Sequence, residues 1–149
     1  MSVGSYVQED PTERAKLLTA LYMAEQQYGY LTPEAIERVA ERLHMKPGQV
    51  YWTATFYSMY HMEPKGRYVI QVCEGLSCHL AGGAECLVRQ IENRLGIEVD
   101  ETTADGNFTL KTVECLAACG SGPTMRINDT LYTQVTPDKL DRILDELGG

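Results

Sequence analysis

Four of the five cysteines in this 149-residue chain form two close pairs, Cys73-x4-Cys78 and Cys115-x3-Cys119, while Cys86 stands alone. Thiolates that close in sequence sit on loops tight enough to hold one metal centre. Structural zinc favours C-x2-C knuckles, and a thioredoxin-type dithiol also needs C-x2-C, which is absent. Two pairs with wider gaps suit a binuclear iron–sulfur cluster, one pair per iron, because soft sulfur suits iron. The spacing differs from the plant-type ferredoxin run C-x4-C-x2-C. A zinc site and four buried structural cysteines stand as the alternative readings of the same residues.

A chain of this length makes one ordinary domain or two small ones, and at 44% hydrophobic residues it can bury a core. No stretch approaches the roughly 20 apolar residues of a membrane helix, so no direct membrane insertion is expected. Met1 to Asp10 lacks the apolar stretch of a secretory signal. A cytoplasmic protein is expected, or one on the cytoplasmic face of the inner membrane within a larger peripheral assembly. In a reducing compartment the cysteines read as ligands or free thiols rather than disulfides. The net charge of -8 argues against nucleic acid, whose phosphates call for clustered Lys and Arg. The charge is uneven: residues 1–65 carry 6 basic and 8 acidic groups, and residues 66–149 carry 7 and 13.

The apolar pattern changes period near Pro64-Lys65-Gly66, which marks a boundary between a unit at 1–65 and a unit at 66–149. In the first, residues 1–9 read as a polar arm and Asp10-Pro11-Thr12-Glu13 as a helix start with a capping box. That helix runs through Leu17, Leu18, Leu21 and Tyr22 to Gly29. Thr32-Pro33-Glu34 starts a second, with a stripe of Ile36, Val39, Ala40 and Leu43, and a third begins near Pro47, with Val50 to Tyr60 helical. In the second unit, Tyr68 to Val72 reads as a buried strand running into Cys73. Cys78 to Leu95 reads as one helix with Leu80, Ala84, Leu87, Ile91 and Leu95 on one face, capped by Gly96. Phe108 to Val113 is a strand running into Cys115. Thr124–Ile127 and Thr130–Tyr132 form a hairpin about Asn128-Asp129. A last helix starts at Thr136-Pro137 with a stripe of Leu140, Ile143, Leu144 and Leu147. The expectation is an α+β chain: an N-terminal helical bundle, then a thioredoxin-like α/β domain with the order β-α-β-β-β-α.

Each cysteine pair therefore falls just after a strand, in loops rich in small residues: Gly75 and Ser77 in the first, Ala117, Ala118, Gly120, Ser121 and Gly122 in the second. Small residues let backbone amides approach sulfur closely. Cys86 lies on the far side of its helix from the apolar stripe and reads as a spectator thiol. His79 follows a cysteine directly, yet four cysteines suffice without it. His44 and His61 show no partnering pattern and read as structural. Tyr51, Trp52, Phe56, Tyr57 and Tyr60 read as core of the helical unit plus an exposed docking face. Glu98-Val99-Asp100-Glu101 reads as a solvated loop. No nucleophile–base pair is present, so no catalytic residue is assigned, and neither G-x-G-x-x-G nor G-x4-G-K-[ST] occurs, so nothing argues for nucleotide binding by this chain.

Val72-Cys73-Glu74-Gly75-Leu76-Ser77-Cys78-His79-Leu80 and Val113-Glu114-Cys115-Leu116-Ala117-Ala118-Cys119-Gly120 resemble the two cluster loops of the NADH dehydrogenase E-subunit family, the thioredoxin-like 2Fe-2S subunit of NADH:quinone oxidoreductase (respiratory complex I). Ala54 to Tyr60 and Pro123 to Asp129 are similar to that family's helical-domain motif and C-terminal hairpin. The resemblance covers about residues 12–147. It implies that Cys73 and Cys78 hold one iron, and Cys115 and Cys119 the other. It further implies an electron-transfer subunit beside a partner that carries FMN and binds NADH, with a further iron–sulfur subunit nearby. The same family supplies subunits of NAD(P)-linked hydrogenases and formate dehydrogenases, so the equivalent role in such a complex is the alternative host. A zinc-stabilised interaction module without a redox role is the alternative of a different class.

Overall fold

A computed structural model describes residues 15–148. The polar arm at 1–9 and the helix start at Asp10 to Glu13 lie outside the described residues. The chain divides into two compact units, Met1–Pro64 and Lys65–Gly149.

Three helices build the described part of the first unit: α1 (Leu17–Tyr28), α2 (Pro33–Arg42) and α3 (Pro47–Phe56). Gly29, at φ +82°, ends α1 and donates its N–H to the Glu25 carbonyl at 2.7 Å. A side-chain-bearing residue is disfavoured at that φ, which is why glycine stands there. Thr32 caps α2, its Oγ1 accepting from the Ala35 N–H at 3.1 Å, with Pro33 in the first turn. Leu17, Leu21, Leu31, Ile36, Val39, Val50 and Ala54 meet in one apolar cluster that also takes in Tyr60. Each large aliphatic buried there contributes about 1.5–3 kcal/mol.

Helix α3 stops at Phe56, four residues short of the expected Tyr60. Tyr57 is extended (ψ 117°), and the chain closes a turn by donating the Tyr60 N–H to the Tyr57 carbonyl at 3.1 Å. The turn buries the Tyr60 ring and lets its hydroxyl donate to the Leu18 carbonyl at 2.7 Å. Burial of an aromatic ring with its polar tip satisfied outweighs one more turn built from residues of middling helix propensity. The next residue, His61, does have a partner: its Nδ1 lies 2.6 Å from Oε1 of the buried Glu25, which also accepts the His61 N–H at 3.2 Å. The pairing spans 36 residues, so no local pattern announces it.

The second unit is a four-stranded mixed sheet in the order β2-β1-β3-β4, formed by β1 (Tyr68–Cys73), β2 (Phe108–Val113), β3 (Met125–Ile127) and β4 (Thr130–Tyr132). β1 and β2 run parallel, from Tyr68 opposite Phe108 to Cys73 opposite Val113. β3 pairs antiparallel with both β1 and β4. β1 is central, and Val69, Ile70, Val72 and Cys73 are all buried, as the near-continuous apolar run of a covered strand requires. Asn128, at φ +51°, turns the β3–β4 hairpin. Its side chain accepts from the Val69 N–H at 2.9 Å and donates to the Arg67 carbonyl at 3.0 Å.

The expected single helix over 78–95 is two: α4 (Leu76–Leu80) and α5 (Ala84–Leu95). Gly82, at φ +75°, breaks it. At Gly83 a Cβ would lie 1.9 Å from Cβ of Pro123, so a bare backbone is what lets α5 begin against the segment leading into β3. The break swings Leu80 out to solvent, 75% exposed, away from the stripe it was expected to share with Leu87 and Ile91, both buried. The observed order is thus β-α-α-β-β-β-α. The last element, α6 (Pro137–Leu147), buries Leu140, Ile143 and Leu144. Arg94 of α5 hydrogen-bonds Asp141 at 2.9 Å and also reaches Asp145, tying α5 to α6. In the acidic stretch, Glu98, Asp100 and Glu101 are exposed, but Val99 packs on the core.

Candidate metal centre

The two cysteine-bearing segments meet at one end of the parallel β1–β2 pair. Cys73 is the last residue of β1 and lies opposite Val113, the last of β2. The Glu74 N–H continues the ladder by donating to the Val113 carbonyl at 2.9 Å. Parallel pairing in this register forces both chain exits to the same edge of the sheet, so the loops after Cys73 and before Cys115 emerge side by side.

Cys73 and Cys78 are buried, 3% and 2% exposed. Cys78 lies within α4, not in an open loop, and this one-turn helix folds it back toward the strand end. Gly75 makes the return possible: a Cβ there would stand 3.0 Å from the Glu114 carbonyl oxygen and 3.4 Å from Cys73 Sγ. Gly122 approaches from the other segment, where a Cβ would be 3.5 Å from Cys78 Sγ. Thr124, 1% exposed, sits 3.4 Å by Oγ1 from Cys78 Sγ, and its carbonyl accepts the Cys73 N–H at 3.1 Å. Burial pushes the Cys73 thiol up. The backbone amides of Gly75 and Leu116 lead the contributions that outweigh that and hold it below the ordinary thiol value.

Cys115 and Cys119 are exposed. The Ala117 N–H donates to Cys115 Sγ at 3.2 Å, with Ala117 itself in the left-handed region at φ +56°. Cys119 opens a short 3₁₀ turn, Cys119–Ser121, closed by the Ser121 N–H on the Ala118 carbonyl at 2.9 Å. The Gln134 N–H on the Ser121 carbonyl (2.9 Å) and the Val135 N–H on the Pro123 carbonyl (3.0 Å) anchor this segment to the stretch before α6.

Among the described residues, no three or more His, Cys, Asp or Glu side chains converge as a single metal ion would require. The structure buries Cys73 at the end of β1 and Cys78 in the short helix that follows, and places Cys115 and Cys119 on the adjoining segment after β2. The donor set fits a 2Fe-2S group in kind: soft sulfur throughout, two per loop, with amides and a hydroxyl already aimed at sulfur and glycines where a Cβ would crowd it. Cys86 is exposed on α5, and His79 is exposed on α4. His44 is exposed at φ +52°. The residue that sequence reasoning missed is Thr124, read only as the start of a hairpin strand. Its contact with Cys78 spans 46 residues, and no spacing rule links a lone hydroxyl to a cysteine that far away.

The family model for the thioredoxin-like [2Fe-2S] ferredoxin matches residues 3–148. The chain is 41% identical over 135 residues to the E 2 subunit of NADH-quinone oxidoreductase from Rhizobium meliloti (strain 1021), covering 91% of this chain and 80% of that protein. It is 33% identical over 144 residues to the NADP-reducing hydrogenase subunit HndA of Solidesulfovibrio fructosivorans, covering 97% and 84%. Among solved structures, the air-oxidized NAD+-reducing [NiFe]-hydrogenase superposes with a TM-score of 0.78 at 22% identity, over 89% of this chain and 23% of that chain.

Proposed function

This chain belongs to the thioredoxin-like 2Fe-2S ferredoxin family, and from that premise we propose that it is a one-electron carrier whose Cys73, Cys78, Cys115 and Cys119 hold one 2Fe-2S cluster. A bound cluster of this type takes up and returns a single electron. Cys73 and Cys78 supply the buried side of the site, where Thr124 and the loop amides face sulfur. Cys115 and Cys119 supply the exposed side, where an electron can pass to a neighbour. The observation that carries the reading is the shared exit of the two cysteine segments from the parallel β1–β2 pair.

The units 1–65 and 66–149 are read as a helical domain and a cluster domain. The partner we propose is a flavin- and NADH-binding subunit of an NADH:quinone oxidoreductase, with a further iron–sulfur subunit beyond it, on the cytoplasmic face of the membrane. The kinship at 41% identity with a protein named as the E 2 subunit of such an enzyme supports this host. The 33% identity with a hydrogenase subunit over 97% of this chain supports a second host, an NAD(P)-linked hydrogenase. This chain carries no catalytic residue in either assembly. The nucleotide and flavin chemistry belongs to the neighbour.

Metal and sulfide analysis after anaerobic purification tests the reading. Two irons and two acid-labile sulfides per chain are expected. Zinc as the sole metal, with no sulfide, would turn the site into a structural module and overturn the proposal.

A further inference from the structure

Thr124 joins the site without being one of its ligands. The residue is 1% exposed at the entrance to β3. Its backbone carbonyl accepts the Cys73 N–H at 3.1 Å, and its hydroxyl lies 3.4 Å from Cys78 Sγ. The backbone on either side is pinned by the Val135 N–H on the Pro123 carbonyl at 3.0 Å and by the pairing of Met125 with Val72. The hydroxyl is thus held at the sulfur by sheet geometry. A thiolate ligand carries no proton, so the hydroxyl must be the donor of that contact.

We propose that the Thr124 hydroxyl is a positioning residue that raises the reduction potential of the site by donating a hydrogen bond to the Cys78 sulfur. The inference rests on the cluster reading above. Reduction adds one electron, supplied in the test by dithionite, and so one negative charge; no proton moves and no bond to Thr124 breaks. A donor aimed at a ligand sulfur stabilises the more negative state more than the less negative one, and in a buried setting that difference is weakly screened. Removing the donor therefore favours the oxidised form.

The test is an EPR-monitored redox titration of the full chain carrying its cluster, comparing the native protein with Thr124→Val, Thr124→Ala and Thr124→Ser. Val keeps the shape and removes the donor, and the backbone bond to Cys73 is retained in all three. The expected result is a more negative midpoint in Val and Ala, by about tenfold in the one-electron equilibrium constant or ~59 mV, with Ser restoring most of the native value. A loaded Thr124→Val protein with the native midpoint overturns the inference. Failure of both Val and Ala to load while Ser loads also overturns it, because the hydroxyl would then hold the site together rather than tune it. Absence of iron from the native chain would instead sink the cluster reading itself.

Discussion

At the scale of single residues, the site separates cysteines by what surrounds them. Cys73 is buried with the Gly75 and Leu116 amides turned to its sulfur, and Cys78 is buried beside the Thr124 hydroxyl, whereas Cys86 is exposed on α5. Cys73→Ser and Cys115→Ser should each strip the chain of its native cluster, seen as loss of visible absorption and of iron, while Cys86→Ser should leave both unchanged. Loss of iron in Cys86→Ser would make Cys86 a ligand in place of one of the four. The two cysteine pairs stand out from spacing alone because each is a local pattern, and the shared exit of their segments from β1 and β2 follows from strands that were also legible. Thr124 and the Glu25–His61 pair were not, since each is a contact across tens of residues made by side chains with no distinctive spacing. Leu80 was misplaced for a related reason: periodicity assumes an unbroken helix, and a two-glycine break resets the phase.

At the scale of elements, the strands deliver the cysteines and the glycines let the deliveries meet. The parallel register ending at Cys73 opposite Val113 brings the two segments to one edge, and Gly83 lets α5 start against Pro123. Gly83→Ala places a methyl group where Pro123 already stands. Overpacking of this kind costs about 1–3 kcal/mol. It should lower the denaturant midpoint of the chain and reduce iron loading; an unchanged midpoint with full loading would show that the α5–Pro123 contact does not hold the site. The strands and the capped helices α2 and α6 could be read from the chain, because apolar runs, threonine caps and Pro in the first turn are local signals. The early end of α3 could not. It depends on Tyr60 reaching the Leu18 carbonyl, a tertiary gain that overrides local helix propensity.

At the scale of the whole molecule, among the described residues no helix is long and apolar enough to cross a membrane, and the net charge of -8 is weighted to the cysteine-bearing half. Trp52 and Phe56 of α3 are 75% and 80% exposed, with Tyr51, Tyr57 and Met59 exposed beside them. Tyr60 alone of the expected aromatic group lies in the core. Exposed aromatics in such number suit a protein contact. Replacing Trp52 and Phe56 together by alanine should weaken association with the proposed flavin-bearing partner by at least about tenfold, as buried aromatic anchors of interfaces cost ~2 kcal/mol each, while leaving iron content untouched. Unaltered binding in a pull-down would move the contact elsewhere. The central claim, that this chain carries one electron at a time, is tested most directly by coulometric reduction of the anaerobically purified protein. Uptake of one electron per chain, with bleaching of the visible spectrum, is the predicted result. Uptake of none, as for a zinc module, or of two, as for a disulfide, would contradict it.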